Sequence, residues 1–371
     1  MIKFGTFATS KSAWILTCGL FYARNRLIHN LIFNVFFSTG NQTNVHLLQE
    51  RNLMRIFLLL LLVSLPGTGF GQFLDEKNAS IAERLAHQKS VQMQVGVVIH
   101  ASASPLKGIK CSVPVPMEWP EQQVKVIQEE SSPQVRRVSY EMIGDSVKRM
   151  VMQIPFVGPG ETAKVLVTLE CLRHHIVAPE DSDQYAIPTR KQLTPALRKY
   201  LGPSPFIETK HSKIRKQAKE FTKNDDNAWS QVEVMYDWVR NHVTYKNGPQ
   251  KGAYKALKEK EGDCEELTAL FVAFCRVNGI PARTVWIPGH CYPEFYLVDS
   301  QGEGQWFPCQ AAGTRAFGSM PEYRPILQKG DNFRIPEKSG RQCYVSQQLK
   351  IADVPGGSNP KIEWVEKILS N

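Results

Sequence analysis

One cysteine stands where a helix is predicted to begin. In the stretch EGDCEELTALFVAFCRVNGIPAR, residues 261–283, Cys264 follows Gly-Asp and precedes two glutamates. Asp263 is the predicted N-cap, so Cys264 falls in the first turn, at the positive end of the helix macrodipole. Unpaired backbone N–H groups there favour thiolate over thiol, which predicts that Cys264 is a nucleophile. Cys275, on the helix face shared with Phe271, fits the alternative of a small buried side chain.

A histidine downstream supplies what a thiolate nucleophile needs. An imidazole within reach forms an ion pair with the thiolate and then protonates the leaving amine. His290 lies 26 residues after Cys264, beside a predicted strand. His174 and His175 precede a linker, and His242 belongs to a helical segment. His290 is therefore the predicted partner of the thiol.

Three motifs together resemble the transglutaminase-like superfamily, which has the papain-like fold of transglutaminases and many bacterial cysteine peptidase homologues. They are GDCEELTALFVAFCRVNGIPAR, GHCYPEFYLVD and GQWFPCQ, while YLGPSPFIET and YDWVRNHVTY resemble the family's lead-in helices. The positions that match the family motifs are Cys264, His290, Tyr292, Glu294, Tyr296 and Trp306. The resemblance covers about residues 195–320 and implies that the cysteine and the histidine are catalytic.

Two positions depart from the family pattern. Gln310 stands where the family has an aspartate that receives the imidazole N–H, and Pro293 interrupts the histidine strand. A glutamine oxygen accepts the same hydrogen bond, as asparagine does in papain-like proteases, but it carries no charge to stabilise imidazolium. Gln310 is therefore the predicted third member of the site, with Asp299 at the hairpin end as second choice. Because proline lacks an N–H, Pro293 is expected on an edge strand or at a bulge.

Other groups near these motifs have predicted roles. Tyr292 shares the His290 face and is expected to line the substrate cleft, with ordinary packing as the open alternative. Arg283 is expected to form a structural salt bridge rather than a substrate clamp. The backbone N–H of Cys264 is expected to belong to an oxyanion hole. Because the sequence has no C-x-x-C or H-E-x-x-H spacing and no acidic calcium-type loop, no metal or other cofactor is expected.

Pairing of two predicted strands would bring two of the remaining cysteines together. If the histidine lies opposite Gln310 in an antiparallel ladder, Cys291 lies opposite Cys309, close enough for a disulfide. Two unpaired core thiols are the open alternative. Cys111 and Cys171 form a further candidate pair in the N-terminal strands. The seven cysteines beyond residue 71 are an odd number, which leaves at least one thiol unpaired within the chain.

The periodicity of apolar residues divides the chain into an all-β domain and a mixed domain. Residues 85–176 alternate apolar and polar positions between turns, which predicts an antiparallel, sandwich-like β domain. A polar, Pro-bounded linker, 177–194, follows. Over 195–330, helical periodicity and the strands RTVWI, EFYLVD and QWFPCQ predict a transglutaminase-like core of helices packed on an antiparallel sheet. Residues 331–371 are expected to be a C-terminal extension packing on this core, and the fold class is α+β.

Composition and charge disfavour nucleic-acid binding. The chain of 371 residues has a formal charge of +10, but its first 71 residues hold six Lys and Arg against one acidic residue. The remainder contains 39 basic and 34 acidic residues, a net charge of +5. That remainder has no basic block interleaved with aromatic residues, so nucleic acid is not an expected partner.

The segment MRIFLLLLLVSLPGTGFGQ has the pattern of a secretory signal over residues 54–71. It has one positive charge, an apolar run of ten residues from Ile56, and small residues at Gly69 and Gly71. The run is well short of the ~20 residues that span a bilayer. We therefore expect a secreted or periplasmic protein without an integral membrane segment after cleavage, and we expect residues 1–53 to precede a true start at Met54.

These inferences predict an exported cysteine-dependent acyl-transfer enzyme that acts on amide or peptide bonds of a protein or peptide substrate. Cys264 attacks the carbonyl, His290 transfers the proton and Gln310 orients His290. Hydrolysis is favoured over transfer to an amine. The alternative, motivated by the missing aspartate, is a catalytically degenerate transglutaminase-like scaffold or binding module. The sequence leaves the substrate's identity and the oligomeric state open.

Overall fold

The computed structural model describes residues 81–223, 226–357 and 359–369, which all fall within one compact unit, Gly71–Asn371. The helices are α1 (Pro195–Arg198), α2 (Ser212–Glu220), α3 (Ala228–His242), α4 (Ala253–Glu259) and α5 (Cys264–Val277). The first six strands are β1 (Leu85–His100), β2 (Leu106–Val115), β3 (Gln122–Ser131), β4 (Arg137–Ile143), β5 (Val147–Val157) and β6 (Thr162–Ile176). The others are β7 (Thr244–Tyr245), β8 (Glu261–Gly262), β9 (Ala282–Ile287), β10 (His290–Val298), β11 (Gly304–Pro308), β12 (Gln328–Lys329), β13 (Gln348–Asp353) and β14 (Lys361–Leu369).

The strands form two large antiparallel sheets. One has the order β14-β1-β6-β3, and the other has the order β11-β10-β9-β12-β5-β2-β13, with β4 paired to β5. A short parallel pair, β7 and β8, lies beside the start of α5 in the chain. The fold is α+β, as the sequence predicts: α1 to α5 all lie between β6 and β9, and strands make up most of the rest of the described ranges.

Strand β1 buries one face in the core of the N-terminal half. On β1 the alternate residues Met93, Val95, Val97 and Ile99 are 0–1% exposed, which is the period-two pattern of the sequence. They share one apolar cluster with residues of β2, β5 and β6. Full burial of one such side chain stabilises the fold by about 1.5–3 kcal/mol, so this cluster fixes the register of the strands.

Helix α5 is the centre of the second core. Ten of its consecutive residues, from Leu267 to Arg276, are buried, and the helix packs on α2, α3, α4, β9 and β10. The face of α3 that carries Trp229, Val232, Tyr236 and Val239 is buried in the same cluster, as its helical periodicity predicts. This arrangement of helices on an antiparallel sheet places the N-terminus of α5 next to the start of β10.

The C-terminal segment contributes strands to both sheets. We expected residues 331–371 to pack on the core of 195–330; the structure also pairs β13 with β2 and β14 with β1. Without these partners, β1 and β2 would be edge strands. The pairing satisfies the backbone N–H and C=O groups that an edge leaves open. The linker is also packed: Tyr185 stacks edge-on against Phe307, with 4.8 Å between the ring centroids. The domain boundaries proposed above stay a prediction.

A buried ion pair joins α5 to the chain beyond β12. Arg276 Nη2 donates to both carboxylate oxygens of Asp331, at 2.8 and 2.7 Å, and the two side chains are 0% and 1% exposed. The same guanidinium donates to the carbonyl oxygens of Ala282 and Gly202. It thereby ties the C-terminal end of α5 to the first residue of β9.

Within the described ranges, no helix is long and apolar enough to cross a bilayer. The predicted signal segment, 54–71, lies outside those ranges.

Replacing Asp331 tests the importance of this ion pair. We expect Asp331→Ala to lower the free energy of unfolding by about 3–5 kcal/mol, because it leaves the Arg276 charge buried and uncompensated. The measurement is urea denaturation followed by circular dichroism. Asp145→Ala is the control, since its pair with Lys199 is 3.0 Å long but lies at the surface and should contribute less than about 1 kcal/mol. Equal losses for both variants would contradict the expectation.

Candidate active site

The N-terminus of α5 is fixed by reciprocal capping. Asp263 Oδ1 accepts a hydrogen bond from the Glu265 N–H at 2.9 Å, and Glu266 Oε2 accepts one from the Asp263 N–H at 3.2 Å. The Asp263 side chain also accepts from the backbone N–H of Glu266, which completes a capping box with the Glu266 bond. Gly262 is required beside it, since an added Cβ would lie 2.3 Å from the Cβ of Glu266. The motif Gly-Asp-Cys thus sets where the helix begins and places Cys264 in its first turn.

The Glu266 carboxylate also holds the loop before α4. Its Oε1 accepts from the backbone N–H groups of Lys251 and Gly252, at 2.6 and 3.3 Å. Glu266 is 1% exposed, and burial raises the pKa of its carboxyl in spite of these bonds. One buried side chain therefore positions both the helix start and the loop that borders the site.

His290 is positioned by a tight hairpin. Pro288 and Gly289 form the two-residue connection between β9 and β10, and His290 pairs with Ile287 across it. Gly289 has φ +68°, a left-handed conformation that favours glycine. Because β10 packs against α5, the histidine at the start of this strand meets the cysteine at the start of the helix.

The histidine contacts both predicted partners. His290 Nε2 lies 2.8 Å from Gln310 Oε1, and since that oxygen only accepts, Nε2 carries the proton. The imidazole also hydrogen-bonds the thiol of Cys264. Burial disfavours the charged imidazole, but the bonds to Cys264 and Gln310 outweigh it and raise the pKa of His290. All three residues are thus brought together, as predicted from the sequence.

The thiol of Cys264 is strongly acidified. A hydrogen bond from the Cys291 side chain is the largest cause, followed, against the opposing effect of burial, by bonds from His290 and the Cys291 backbone N–H. Together they lower the pKa of Cys264 to about 5. Burial and the neighbouring thiolate raise the pKa of Cys291 itself, so it stays a neutral donor. This contact was not predicted, because strand alternation alone turns Cys291 away from the histidine face.

Gln310 reaches His290 without strand pairing. Glu294 lies opposite Pro308, so the β10–β11 register is shifted by two residues from the one predicted. The ladder ends there, and α3 holds the chain that follows: Tyr236 Oη and Arg240 Nη1 each donate to the Gln310 carbonyl oxygen at 2.8 Å. Neither positioning residue was predicted from the sequence, where their spacing of four on one face of α3 was the available signal.

The register explains why the predicted disulfide is wrong. Cys309 lies beside Pro293, to whose carbonyl oxygen its N–H donates at 3.0 Å, while Cys291 points to α5, 3.8 Å from Thr268 Oγ1. Both thiols are free, which was the open alternative. The candidate pair Cys111 and Cys171 is also free, like the other cysteines that the structure describes.

The structure also decides the environments of Tyr292, Asp299 and Arg283. Tyr292 is 0% exposed in a separate apolar cluster, so it lines no cleft and the packing alternative holds. Asp299 accepts from the N–H groups of its own hairpin turn, roughly 30 Å along the strand from His290, and is not a substitute acceptor. Arg283 makes the expected structural salt bridge, 2.9 Å from Glu294.

Pro293 is also placed differently from expectation. Its strand has neighbours on both sides rather than lying at an edge. Pairing with β11 extends only to Glu294, the next residue, so the N–H that proline lacks is not needed on that side.

Two cavities meet at the histidine. One, of about 480 Å³, contains Cys264 and His290 together with residues of the C-terminal segment. The other, of about 680 Å³, is lined by His290, Gln310, Arg240 and Arg324. Tyr245, 55% exposed, borders both. The thiol is therefore accessible from a cleft that continues on either side of the imidazole. Among the described residues, no group of three or more His, Cys, Asp or Glu side chains is arranged to hold a metal ion.

A family model matches the part of the chain that contains these residues. The model of the transglutaminase-like superfamily matches residues 215–311, which include Cys264, His290 and Gln310. A comparison with curated proteins found no match.

Three solved structures resemble parts of the chain. One is a candidate cysteine protease from Cytophaga hutchinsonii, with 17% identity, a TM-score of 0.49, and 76% of this chain and 92% of that chain covered. Another is the periplasmic domain of TgpA from Pseudomonas aeruginosa, with 14% identity, a TM-score of 0.29, and 63% and 93% covered. The third is a candidate protease from Parabacteroides distasonis, with 15% identity, a TM-score of 0.25, and 60% and 47% covered.

The pH dependence of alkylation tests the thiolate. With iodoacetamide, we expect labelling of Cys264 to persist down to a midpoint near pH 5, because the thiolate is the reactive form. His290→Ala should raise the midpoint by more than one unit, since it removes a hydrogen bond and a positive charge. Peptide mapping by mass spectrometry provides an internal control in Cys343, whose pKa burial raises to about 11. An unchanged midpoint in the histidine variant would refute the pair.

A second variant tests the hold on Gln310. Tyr236→Phe removes the hydroxyl that donates to Gln310 and accepts from the Ala316 N–H at 3.1 Å. We expect the Cys264 midpoint to rise, though by less than in His290→Ala, because Gln310 then orients the imidazole less well. Tyr185→Phe, which removes a buried hydroxyl bonded to Gln305, is the control. A loss of about 1 kcal/mol in stability with an unchanged midpoint would mean that Tyr236 is only structural.

Proposed function

Since the chain carries a domain of the transglutaminase-like superfamily over residues 215–311, we propose that it is a cysteine-dependent acyl-transfer enzyme acting on amide or peptide bonds. The observation that carries this proposal is the Cys264 thiol, held at a helix N-terminus with its pKa lowered to about 5 and hydrogen-bonded to His290. A structural cysteine in a core has the opposite property: burial raises the pKa of Cys275, on the same helix. The contrast favours a nucleophile.

The reaction follows from the pair. Cys264 Sγ attacks the carbonyl carbon of the substrate and forms a tetrahedral oxyanion. As the C–N bond breaks, the imidazolium of His290 gives its proton to the leaving nitrogen, which leaves an acyl-thioester on Cys264. Water then attacks the thioester while His290 takes its proton, and the acid product and the thiolate are released. Each step uses the same nitrogen of the imidazole, since Gln310 occupies Nε2.

The oxyanion needs a donor near the thiol. The Cys264 N–H lies in the first turn of α5, where backbone donors have no intrahelical acceptor, and the helix dipole favours negative charge there. We assign this N–H to the oxyanion hole. This donor is a backbone group, so the Gly-Asp-Cys sequence that caps the helix also positions the proposed oxyanion hole.

Gln310 is proposed to act by orientation alone. Its amide oxygen fixes the Nε2–H tautomer and the ring plane but adds no negative charge. The raised pKa of His290 supports the view that the Cys264 thiolate supplies the compensating charge in the resting state. We favour water as acceptor over an amine, which makes the enzyme a peptidase or amidase.

We also propose that the enzyme works outside the cytoplasm, secreted or in a periplasm. The support is the signal pattern of residues 54–71. Mass spectrometry of the mature N-terminus is the test: a peptide from residues 1–53 in the purified native protein would refute both this proposal and the start at Met54.

A second candidate function is a catalytically degenerate scaffold, which the replacement of the family aspartate by Gln310 favours. Under it, the domain binds a partner and Cys264 is dispensable. The low pKa of Cys264 argues for the enzyme.

Hydrolysis of an unbiased peptide library distinguishes the two. We expect Cys264→Ala to lower the rate at least about 10³-fold, since the nucleophile is lost, and Gln310→Ala to lower it less. Gln310→Asp should retain activity, because a carboxylate accepts the same hydrogen bond. Cys275→Ala, on the same helix, is the matched control and should retain activity. A Cys264→Ala variant that folds and leaves every activity and the cellular role intact would establish the scaffold instead.

A further inference from the structure

We propose that the cavity that contains the nucleophile Cys264, here called the acidic subsite, binds a basic side chain of the peptide substrate next to the reacting bond. The acidic subsite is the cavity of about 480 Å³ whose polar lining includes Asp263, Glu265, Glu366, Cys264 and His290. The inference rests on the proposed function and adds a substrate class to it.

The charge of the subsite is unbalanced. Three carboxylates line it, and no lysine or arginine among the described residues does. Burial, together with the negative charges of Asp263, Cys264 and Glu266, raises the pKa of Glu265 to about 7. A carboxyl with a basic partner would have its pKa lowered instead, so Glu265 has no cationic partner among the described residues, and a ligand can supply one.

The walls suit the body of a long basic side chain. Trp286 and Tyr344 both line the cavity, with 5.0 Å between their ring centroids and planes inclined by 59°. Aromatic faces pack on the alkyl stem of lysine or arginine and attract the cationic head. Aromatic walls alone would also accept an apolar side chain, whereas the carboxylates in the same cavity favour a basic one.

The other cavity has the opposite character. It is lined by Arg240 and Arg324. Arg324 pairs with Glu322 at 2.7 Å, but Arg240 donates only to backbone carbonyl oxygens, of residues 310, 311 and 313, in the part of the chain that is described. A peptide lying across the thiol therefore meets acidic groups on one side and a basic group on the other, which selects one placement of a basic residue.

One wall of the acidic subsite is built by the chain's own C-terminal segment. Cys343, Tyr344 and Glu366 all lie beyond residue 311, where the match to the superfamily model ends. Glu366 reaches the cavity because β14 pairs with β1, placing it opposite Val95. This wall therefore belongs to a part of the chain outside the shared domain, where specificity can differ while the catalytic residues stay the same.

Charged thiol reagents test the subsite without requiring a known substrate. A cationic and an anionic methanethiosulfonate of similar size are reacted with the full chain, and modification of Cys264 is followed by peptide mapping. We expect the cationic reagent to react at least about tenfold faster, because carboxylates around the thiol concentrate cations. Glu366→Gln should lower this ratio at least about threefold. Glu363→Gln, an exposed carboxylate on β14 that does not line the cavity, should leave it unchanged.

Matched peptides identify the source of the cation. Peptides that carry lysine or its uncharged isostere norleucine beside the cleaved bond are compared in kcat/KM, and 1,4-diaminobutane is tested for protection of Cys264. We expect a preference for lysine that Glu366→Gln reduces. Protection by the diamine without a lysine preference would mean a subsite for free amines and would overturn the proposal, as would a reagent ratio insensitive to Glu366→Gln.

Failure of the proposed function gives a different pattern. If Cys264 alkylates only at ordinary thiol pH and no peptide is cleaved, the proposed enzymatic function is refuted. If Cys264 is acidified but shows no charge preference, only the acidic subsite is refuted.

Discussion

The site depends on the buried carboxylate of Glu266. Its two oxygens accept from three backbone N–H groups, of Asp263, Lys251 and Gly252, and so fix the residue at which α5 begins. A helix that started one residue earlier or later would rotate Cys264 by about 100° and move it away from His290. The cost of burying this carboxyl is offset because the same bonds order the loop beside the cleft.

Helix α3, rather than strand pairing, positions the backbone of Gln310. The β10–β11 ladder stops at Glu294 and Pro308, before Gln310, and the chain then leaves the sheet. Tyr236 and Arg240 hold the Gln310 backbone from the opposite side. Because α3 is itself anchored in the core by its apolar face, the position of the glutamine oxygen follows from helix packing rather than from sheet register.

The sheet that carries the histidine continues through β12 into the N-terminal strands, and the C-terminal strands complete both sheets. Glu366 and Tyr344 both line the cleft, although they lie 102 and 80 residues after Cys264, and Glu366 is placed by the pairing of β14 with β1. The superfamily match contains Cys264, His290 and Gln310, while segments outside it supply one wall of the cleft. The two can therefore vary independently.

The sequence by itself determined the helix that begins at Cys264 and the strand that begins near His290, because capping residues and apolar periodicity act over a few neighbouring positions. Only the tertiary structure decided the register of β10 with β11, the contact of Cys291 with the thiolate, the burial of Tyr292 and the pairing of β13 and β14. A shift of two residues keeps every side chain on its face, so the apolar pattern cannot detect it. Contacts between distant segments depend on packing that no local signal encodes.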